Sequence, residues 1–574
     1  MPKRQPNTEQ HGQQSVATAF AWLAHYPPDV DWHAELQPRA LCEIFDEAVE
    51  RFADNVCTDY FGRRMTYAEI GALTARVAAG LHDIGVERGT RVGLLLPNCP
   101  DFIIFYFAVL KRGGVIVNYN PLYTVEEIEH QVRDSGTELM ITLDLRMLFD
   151  KATAVLDSGS IRRLVVCPFV DRLPTFKRLL FRIFRRRELA RPMPDDTTRP
   201  IVRLADLIQR SASHPPPAVE PGDLAVLQYT GGTTGTPKGA MLTHANLTVN
   251  LQQVSLWFAD AREGEERALA ILPFFHVFAM TGVMNYGIAH GFELILIPRF
   301  DLDEVIRLIR RTRPTVLAGV PTLFNALISH RSATTETLKS LRYCISGGAP
   351  LPGDVRRNFE RVASCSLVEG YGLSETSPVV TCNPVHGESK DGSIGLPLPG
   401  TIVSIRSLDD PAIEMPIGEN GEICISGPQV MAGYWNKDDE TADAFVDSFF
   451  RTGDVGYMDE QGYVFIVDRI KDLIIASGFN VYPRRIEEAI QDHPDVVEVT
   501  VIGIPDDYRG EAPKAFVRLK EGAHLSVDEL LAFLAPKLSK IEMPASIEFR
   551  DELPRTLIGK LSKKELRKET IQES

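Results

Sequence analysis

Basic excess, paired cysteines and long apolar runs are all missing from this chain of 574 residues, and each absence removes a class of function. With 62 Lys and Arg against 77 Asp and Glu, the formal charge is −15. That balance argues against a general nucleic-acid binder, which needs clustered cations to displace counterions; no nucleic acid is expected as a partner. Cys42, Cys57, Cys99, Cys167, Cys344, Cys365, Cys382 and Cys424 are scattered and form no Cys-x-x-Cys pair, so neither a zinc site nor a disulfide framework is indicated. The longest apolar run, Phe102–Leu110, has nine residues, whereas about 20 are needed to span a bilayer. Residues 1–16 are polar, with four glutamines and no apolar core, unlike a signal peptide. A cytoplasmic location is expected.

What is present reads as α/β. The chain exceeds the ~250–300 residues that one hydrophobic core supports, so several subdomains are expected. Ala48–Phe52 and Ala75–Leu81 read as amphipathic helices, Arg91–Leu96 as a buried strand, Phe102–Leu110 as a core helix and Val115–Val117 as another strand. Asn118–Gln131 reads as a turn into a helix capped by Thr124, with Glu126 and Glu127 at its positive end. Past Gly400 short strands take over (Ile402–Ile405, Gly421–Ile425, Gly462–Ile466) and read as a small β-rich subdomain. From Lys471 a compact αβ tail follows. The expected organisation is a polar N-terminal extension (1–30), a large N-terminal region (31–470) and a small C-terminal domain (471–574).

Residues 172–191 depart from the acidic background: eight Arg and Lys surround Phe176, Leu179, Leu180, Ile183 and Phe184, which share one helical face. This is the pattern of a helix lying on an anionic membrane surface. The plainer alternative is an amphipathic helix packed on its own domain with a solvated basic rim.

The densest chemical signal follows the strand-like Leu224–Gln228. Tyr229–Gly239 packs Gly231, Gly232, Gly235, Gly239, Thr230, Thr233, Thr234, Thr236 and Lys238 into eleven residues. Glycines let backbone N–H groups turn toward an anion, hydroxyls add donors and the lysine adds a point charge, so the loop is built to hold phosphate. The spacing is not that of a Walker loop. It resembles the phosphate-binding signature of the acyl-adenylate-forming enzymes, and the Asn118–Gln131 phrase resembles bacterial long-chain fatty acyl-CoA synthetases. That resemblance implies the superfamily's fold: a large α/β N-terminal region of αβ subdomains plus a β-rich subdomain, and a small mobile α+β C-terminal domain.

Further motifs in the same order extend the resemblance over nearly the whole chain. Leu272–Phe278 places His276 and Phe278 among apolar residues; a lone histidine there is as readily a satisfied core residue, and the family puts the position at the acyl-pocket entrance. Tyr343–Pro350 is a strand entering a Gly-Gly turn, similar to the adenine-side motif (Gly347, Gly348, Ala349, Pro350). Glu369–Thr376 is similar to Tyr-Gly-x-Thr-Glu, with Ser374 replacing threonine. The resemblance implies that Tyr371 stacks on adenine beside Gly372, that Ser374 donates toward phosphate and that Glu375 helps bind Mg²⁺, with Gly348 and Gly372 also bordering the acyl group. It further implies Asp454 and Arg469 at the ribose, Lys471 as hinge, Gly478 and Phe479 along the CoA tunnel, and Lys560 as catalytic lysine with Lys238. Two departures stand out. Arg484-Arg485 replaces the usual x-Glu after Pro483, opposing the helix macrodipole, and Ile558 replaces a small residue before Gly559.

The implied reaction has two steps: a fatty acid and Mg·ATP give acyl-AMP and pyrophosphate, then CoA displaces AMP. Rival readings are a medium-chain or aryl-CoA ligase, an acyl-AMP ligase serving a carrier protein, and a membrane-peripheral acyl-binding protein without catalysis. The sequence leaves open acyl chain length and whether the chain forms a homodimer.

Overall fold

In the computed structural model, residues 20–190, 200–209, 215–230, 237–477, 479–506, 509–555 and 561–573 are described. Three sheets organise them. In the first, six parallel strands run in the order Ile201–Arg203, Arg163–Cys167, Leu139–Leu143, Arg91–Leu95, Val115–Asn118, Leu224–Tyr229, and Gly239–Thr243 closes the edge antiparallel to the last. These strands are nearly all apolar and buried, as parallel strands covered on both faces must be. Leu224–Tyr229 and Gly239–Thr243 pair as antiparallel neighbours, with Thr230 N–H bonded to the Lys238 carbonyl at 3.0 Å.

The second sheet has fourteen strands. Its parallel part runs Val56–Tyr60, Glu293–Leu296, Arg267–Ala270, Val316–Gly319, Tyr343–Gly347, Leu367–Gly372. The expected β-rich subdomain is the antiparallel group Ile402–Arg406, Gly421–Ser426, Phe449–Met458 and Val464–Arg469, which joins this sheet through Ser393–Pro397. Ser393–Pro397 pairs with Val379–Cys382 through its C-terminal half and with Val464–Arg469 through its N-terminal half, bulging at Gly395 between them. The third sheet, of five strands, gathers Ile474–Ala476, Phe479–Val481, Val496–Asp506, Gly510–Leu519 and Ser546–Phe549. The α/β class expected from the sequence is the one observed.

The local expectations fare well where a single signal dominates. Pro100–Lys111 is a helix with Pro100 at its start and every residue from Pro100 to Leu110 buried. Thr124 and Glu127 form a reciprocal capping box at the head of Val125–Ser135.

The basic stretch divides in two. Arg172 is buried in a bidentate pair with Asp101 (Nη2–Oδ1 2.6 Å, Nε–Oδ2 2.9 Å) and belongs to the core rather than to a basic face. Beyond it, Thr175–Phe184 is a helix without one buried residue. Phe176, Leu179, Leu180, Ile183 and Phe184 are between 36 % and 78 % exposed. Only the opposite side is tethered. Phe181 packs tilted against Phe169 with ring centroids 5.1 Å apart, Arg178 pairs with Asp171 at 2.6 Å and Lys177 donates to the Phe61 carbonyl at 2.9 Å. The apolar face is thus not packed on its own domain. Arg191 lies outside the described residues.

Candidate active site

Ligands of parallel α/β sheets bind beyond the carboxyl ends of the strands, and there a cavity of about 310 Å³ opens in the second sheet. Its mouth is lined by Thr230, Tyr371, Ser374, Glu375, Thr452, Arg469 and Lys471, and its throat by His276, Phe278, Gly347, Gly348 and Gly372. Among the described residues, the structure therefore brings most of the motif residues from five separate stretches of chain into one space. Gly372 is obligatory: a Cβ there would sit 1.9 Å from the Pro378 carbonyl oxygen. Gly348 holds a left-handed φ of +79°, so the chain can turn away at the strand end without a side chain over the opening.

Two hydrogen-bonded chains order the mouth. Asp454, buried, accepts from Tyr371 Oη at 2.6 Å through Oδ2 and pairs with Arg469 Nε at 2.7 Å through Oδ1. Its carboxylate is held by adjacent strands, Asp454 being directly opposite Arg469 in the register. Glu375 accepts from Tyr434 Oη at 2.8 Å, and the ring of Tyr434 lies under Lys238 Nζ at 5.0 Å. Backbone bonds from residues 431–435 to Glu375, Met241 and Gly239 fix this second chain against Gly239–Thr243. Burial raises the Glu375 carboxyl above its ordinary range. Enclosure also lowers the Lys471 ammonium, with the charge of Arg469 adding to it.

His276 accepts the Phe278 N–H through Nδ1 at 3.3 Å, capping Val277–Ala279. Phe278 packs against Gly347, where a Cβ would meet its ring at 3.1 Å. From there the cavity continues as an apolar channel. Tyr343, Ile345 and Gly347 line it from one strand, Val316 and Ala318 from the next, and Val254, Trp257 and Phe258 from the end of the facing helix and just beyond it. Tyr343 lies opposite Val316, and Ile345 opposite Ala318. The four residue-to-residue steps from Tyr343 to Gly347 span about 13 Å at roughly 3.3 Å per step.

Not every expected residue lines the cavity. Lys238, Ala349, Pro350 and Asp454 stand behind or beside it, and Phe479 is 64 % exposed on the third sheet. Gly231, Gly232, Thr233, Thr234, Gly235, Thr236, Gly478 and Lys560 lie outside the described residues. Conversely, Lys471, expected as a hinge, also faces the cavity. Tyr434 and Thr452 were not singled out from the sequence, and nothing in the text around Tyr434 marks it. The Tyr343–Ile345–Gly347 wall carried a usable signal, the alternation of a strand.

The departure at Arg484-Arg485 has a local resolution. The Arg484 N–H, at the start of Pro483–Gln491, donates to Asp468 Oδ2 at 2.8 Å, so a carboxylate from Val464–Arg469 meets the helix's positive end. The guanidinium reaches back to the Ile466 carbonyl at 2.6 Å and along the helix to Glu488 at 2.9 Å.

The family model for AMP-binding enzymes matches residues 45–435 and that for the AMP-binding enzyme C-terminal domain matches residues 485–560. The chain is 43% identical over 551 residues to a long-chain-fatty-acid–CoA ligase of Bacillus subtilis, covering 96% of this chain and 98% of the relative. It is 37% identical over 564 residues to an Escherichia coli protein of the same name, again with 96% and 98% coverage. Among solved structures, ATP-bound MatB from Rhodopseudomonas palustris superposes with a TM-score of 0.81 at 30% identity, over 92% of this chain and 98% of that one.

Glu369 yields a pH test. It sits at the back of the motif strand, and burial pushes its carboxyl up to about 8, against the counter-charges of Arg484 and Arg356. A raised carboxyl contributes stability that is full below its ordinary 4.5 and lost as pH rises through about 8. Glu369→Gln removes this slope. The urea midpoints of variant and wild type should coincide at acid pH and separate in the variant's favour toward pH 9; a constant difference across the range would contradict the assignment.

Proposed function

The chain belongs to the AMP-binding enzyme family, and on that premise we propose how its cavity performs the chemistry of an AMP-forming long-chain-fatty-acid–CoA ligase. The observation that carries the reading is a single cavity with two natures, a mouth of carboxylates, cations and hydroxyls opening into an apolar strand-walled channel. The acyl chain lies along Ile345 and Ala318, where burial of each methylene contributes about 0.8 kcal/mol. Its carboxylate emerges beside Gly347 and His276, facing the α-phosphate of ATP. A zig-zag of carbon–carbon bonds of about 1.5 Å fits roughly ten methylene groups along the 13 Å wall.

At the mouth, Tyr371 stacks on adenine, and Asp454 with Arg469 holds the ribose hydroxyls, a carboxylate being able to accept both protons. Thr230 to Thr236 and Lys238 cradle the phosphates. Glu375 suits a Mg²⁺ ion: one of its oxygens is bonded to Tyr434, it stands next to the Ser374 hydroxyl, and Mg²⁺ takes few protein ligands and mostly oxygen. Bound there, the ion would neutralise charge on the phosphate oxygens. Attack of the carboxylate oxygen forms the acyl–phosphate bond and releases pyrophosphate. Charge accumulates on the non-bridging oxygens, and Lys560 and Lys238 stabilise it by position rather than by proton transfer. In the second step the C-terminal domain turns about Lys471, releasing the Arg484 contacts to Asp468 and Ile466. Phe479 and Gly478 then approach the channel, and the CoA thiol attacks the acyl carbonyl, expelling AMP.

The exposed apolar face of Thr175–Phe184, rimmed by arginines, supports peripheral binding to an anionic membrane, the phase in which a long-chain acid is itself dissolved.

Two outcomes are expected. Pyrophosphate release from ATP should require a long-chain acid and turn over steadily only with CoA; Lys560→Ala should abolish it yet still form acyl-CoA from supplied acyl-adenylate, and intact pyrophosphate release by that variant would remove Lys560 from the reaction. Replacing Phe176 and Phe184 by glutamate should abolish co-sedimentation with anionic vesicles at low salt while leaving activity on a soluble acid unchanged; undiminished sedimentation would exclude this helix as the membrane contact.

A further inference from the structure

We propose that Cys344 and Cys365 are a reversible oxidation site, which closes to a disulfide when the protein meets a peroxide. Cys365 is the sulfur that reacts with the oxidant, and Cys344 is the one that resolves the product. The pair lies on the face of the wall strand turned away from the channel, apart from the residues that carry the ligase reaction.

All eight cysteines are free and seven are buried; among the described residues Cys365 is the one cysteine that solvent partly reaches. Its sulfur also touches a second sulfur, Cys344 Sγ, at 3.6 Å. Cys344 belongs to the wall strand Tyr343–Gly347 and packs into the apolar cluster of Leu317, Phe359 and Leu367. Cys365 stands in the turn between the helix Gly353–Ala363 and the motif strand Leu367–Gly372, flanked by the exposed Ser364 and Ser366. Ser364 has a left-handed φ of +57°, so the chain turns sharply where the helix ends and sets Cys365 against the strand. A disulfide needs about 2.05 Å between its sulfurs, so the pair must close by about 1.5 Å. Side-chain rotation and a small shift of a turn held in neither helix nor strand can supply that.

Access and charge set the order of events. Burial, then the contact with Cys365 and the charge of Glu360, raise the Cys344 thiol well above its ordinary value, so it keeps its proton. A peroxide therefore meets Cys365 first, as a thiolate. The Cys365 sulfur attacks one peroxide oxygen and the O–O bond breaks, giving a sulfenic acid and water. The Cys344 sulfur then displaces the sulfenic hydroxyl, and its own proton leaves with that hydroxyl as a second water. Two thiols are oxidised to one disulfide while one peroxide is reduced by two electrons to two waters. The bond joins the ends of a segment that contains Gly347–Pro350, from the wall strand to the start of the motif strand, and it stabilises the fold by restricting the unfolded chain. Without Cys344 the sulfenic acid has no thiol beside it and proceeds to the irreversible sulfinic acid.

The test treats the full chain with hydrogen peroxide under native conditions, blocks the remaining thiols by alkylation and maps the peptides by mass spectrometry. Wild type should show the Cys344 and Cys365 peptides joined and lighter by two hydrogens, and dithiothreitol should part them. Oxidation should raise the Tm by about 2 °C and reduction should return it; Cys365→Ser should show neither change. In Cys344→Ser, Cys365 should accumulate as sulfinic acid that dithiothreitol does not reverse. Wild type in which Cys365 stays unlinked, whether untouched or over-oxidised, overturns the site without recourse to any variant. A link from Cys365 to another cysteine, or to a second chain, overturns it equally.

Discussion

Side chains of a strand alternate between its faces, and this one constraint shapes the cavity on which the rest depends. Along Tyr343–Gly347 the period of two puts Tyr343, Ile345 and Gly347 on the same wall and turns Cys344 and Ser346 away into the packing behind. The neighbouring strand repeats the pattern one register across with Val316 and Ala318. A parallel sheet thereby supplies an apolar groove running down its strands and an opening at their carboxyl ends. An acyl chain needs the first and a nucleotide needs the second, so both substrates can meet at the residue where the side chain vanishes, Gly347.

Polar order at the mouth follows from the same geometry. Asp454 and Arg469 are opposed across antiparallel strands, and Tyr371 reaches them from the end of the central parallel strands. The three groups hold one another rigidly, with the ions and the phenol satisfied before any ligand arrives. The Lys238–Tyr434–Glu375 chain does the same beside Gly239–Thr243. Groups fixed in this way do not need to reorganise as charge builds on a phosphate, which is where electrostatic catalysis gains most. Arg484, by contrast, ties the C-terminal helix to Ile466 and Asp468 through a few polar contacts, the sort of attachment that a domain rotation can exchange for another.

Much of this was legible in the residues. The α/β class, the buried helix after Pro100 and the Thr124 cap each follow from a strong local signal, and most of the described motif residues line one cavity. What escaped was non-local. No text near Tyr434 announces that its hydroxyl ends on Glu375, 59 residues earlier in the chain. Arg172 read as part of a basic face because its burial depends on Asp101, 71 residues away. How the β-rich subdomain joins the central sheet through Ser393–Pro397 is set by register, which composition does not encode. The Thr175–Phe184 helix was ambiguous for the same reason, since amphipathicity states that one face is apolar and not what covers it.

The central claim is that one strand wall measures the acyl chain while the nucleotide binds independently at its end. The most direct measurement is the chain-length profile of Ile345→Trp, which places a large ring in the middle of the wall. The account predicts that kcat/KM falls at least tenfold for hexadecanoate, holds within about twofold for short acids, and leaves the KM for ATP unchanged, since only apolar burial beyond the obstruction is lost. A uniform fall at every chain length, or an unaltered profile, would show that the acyl group lies elsewhere.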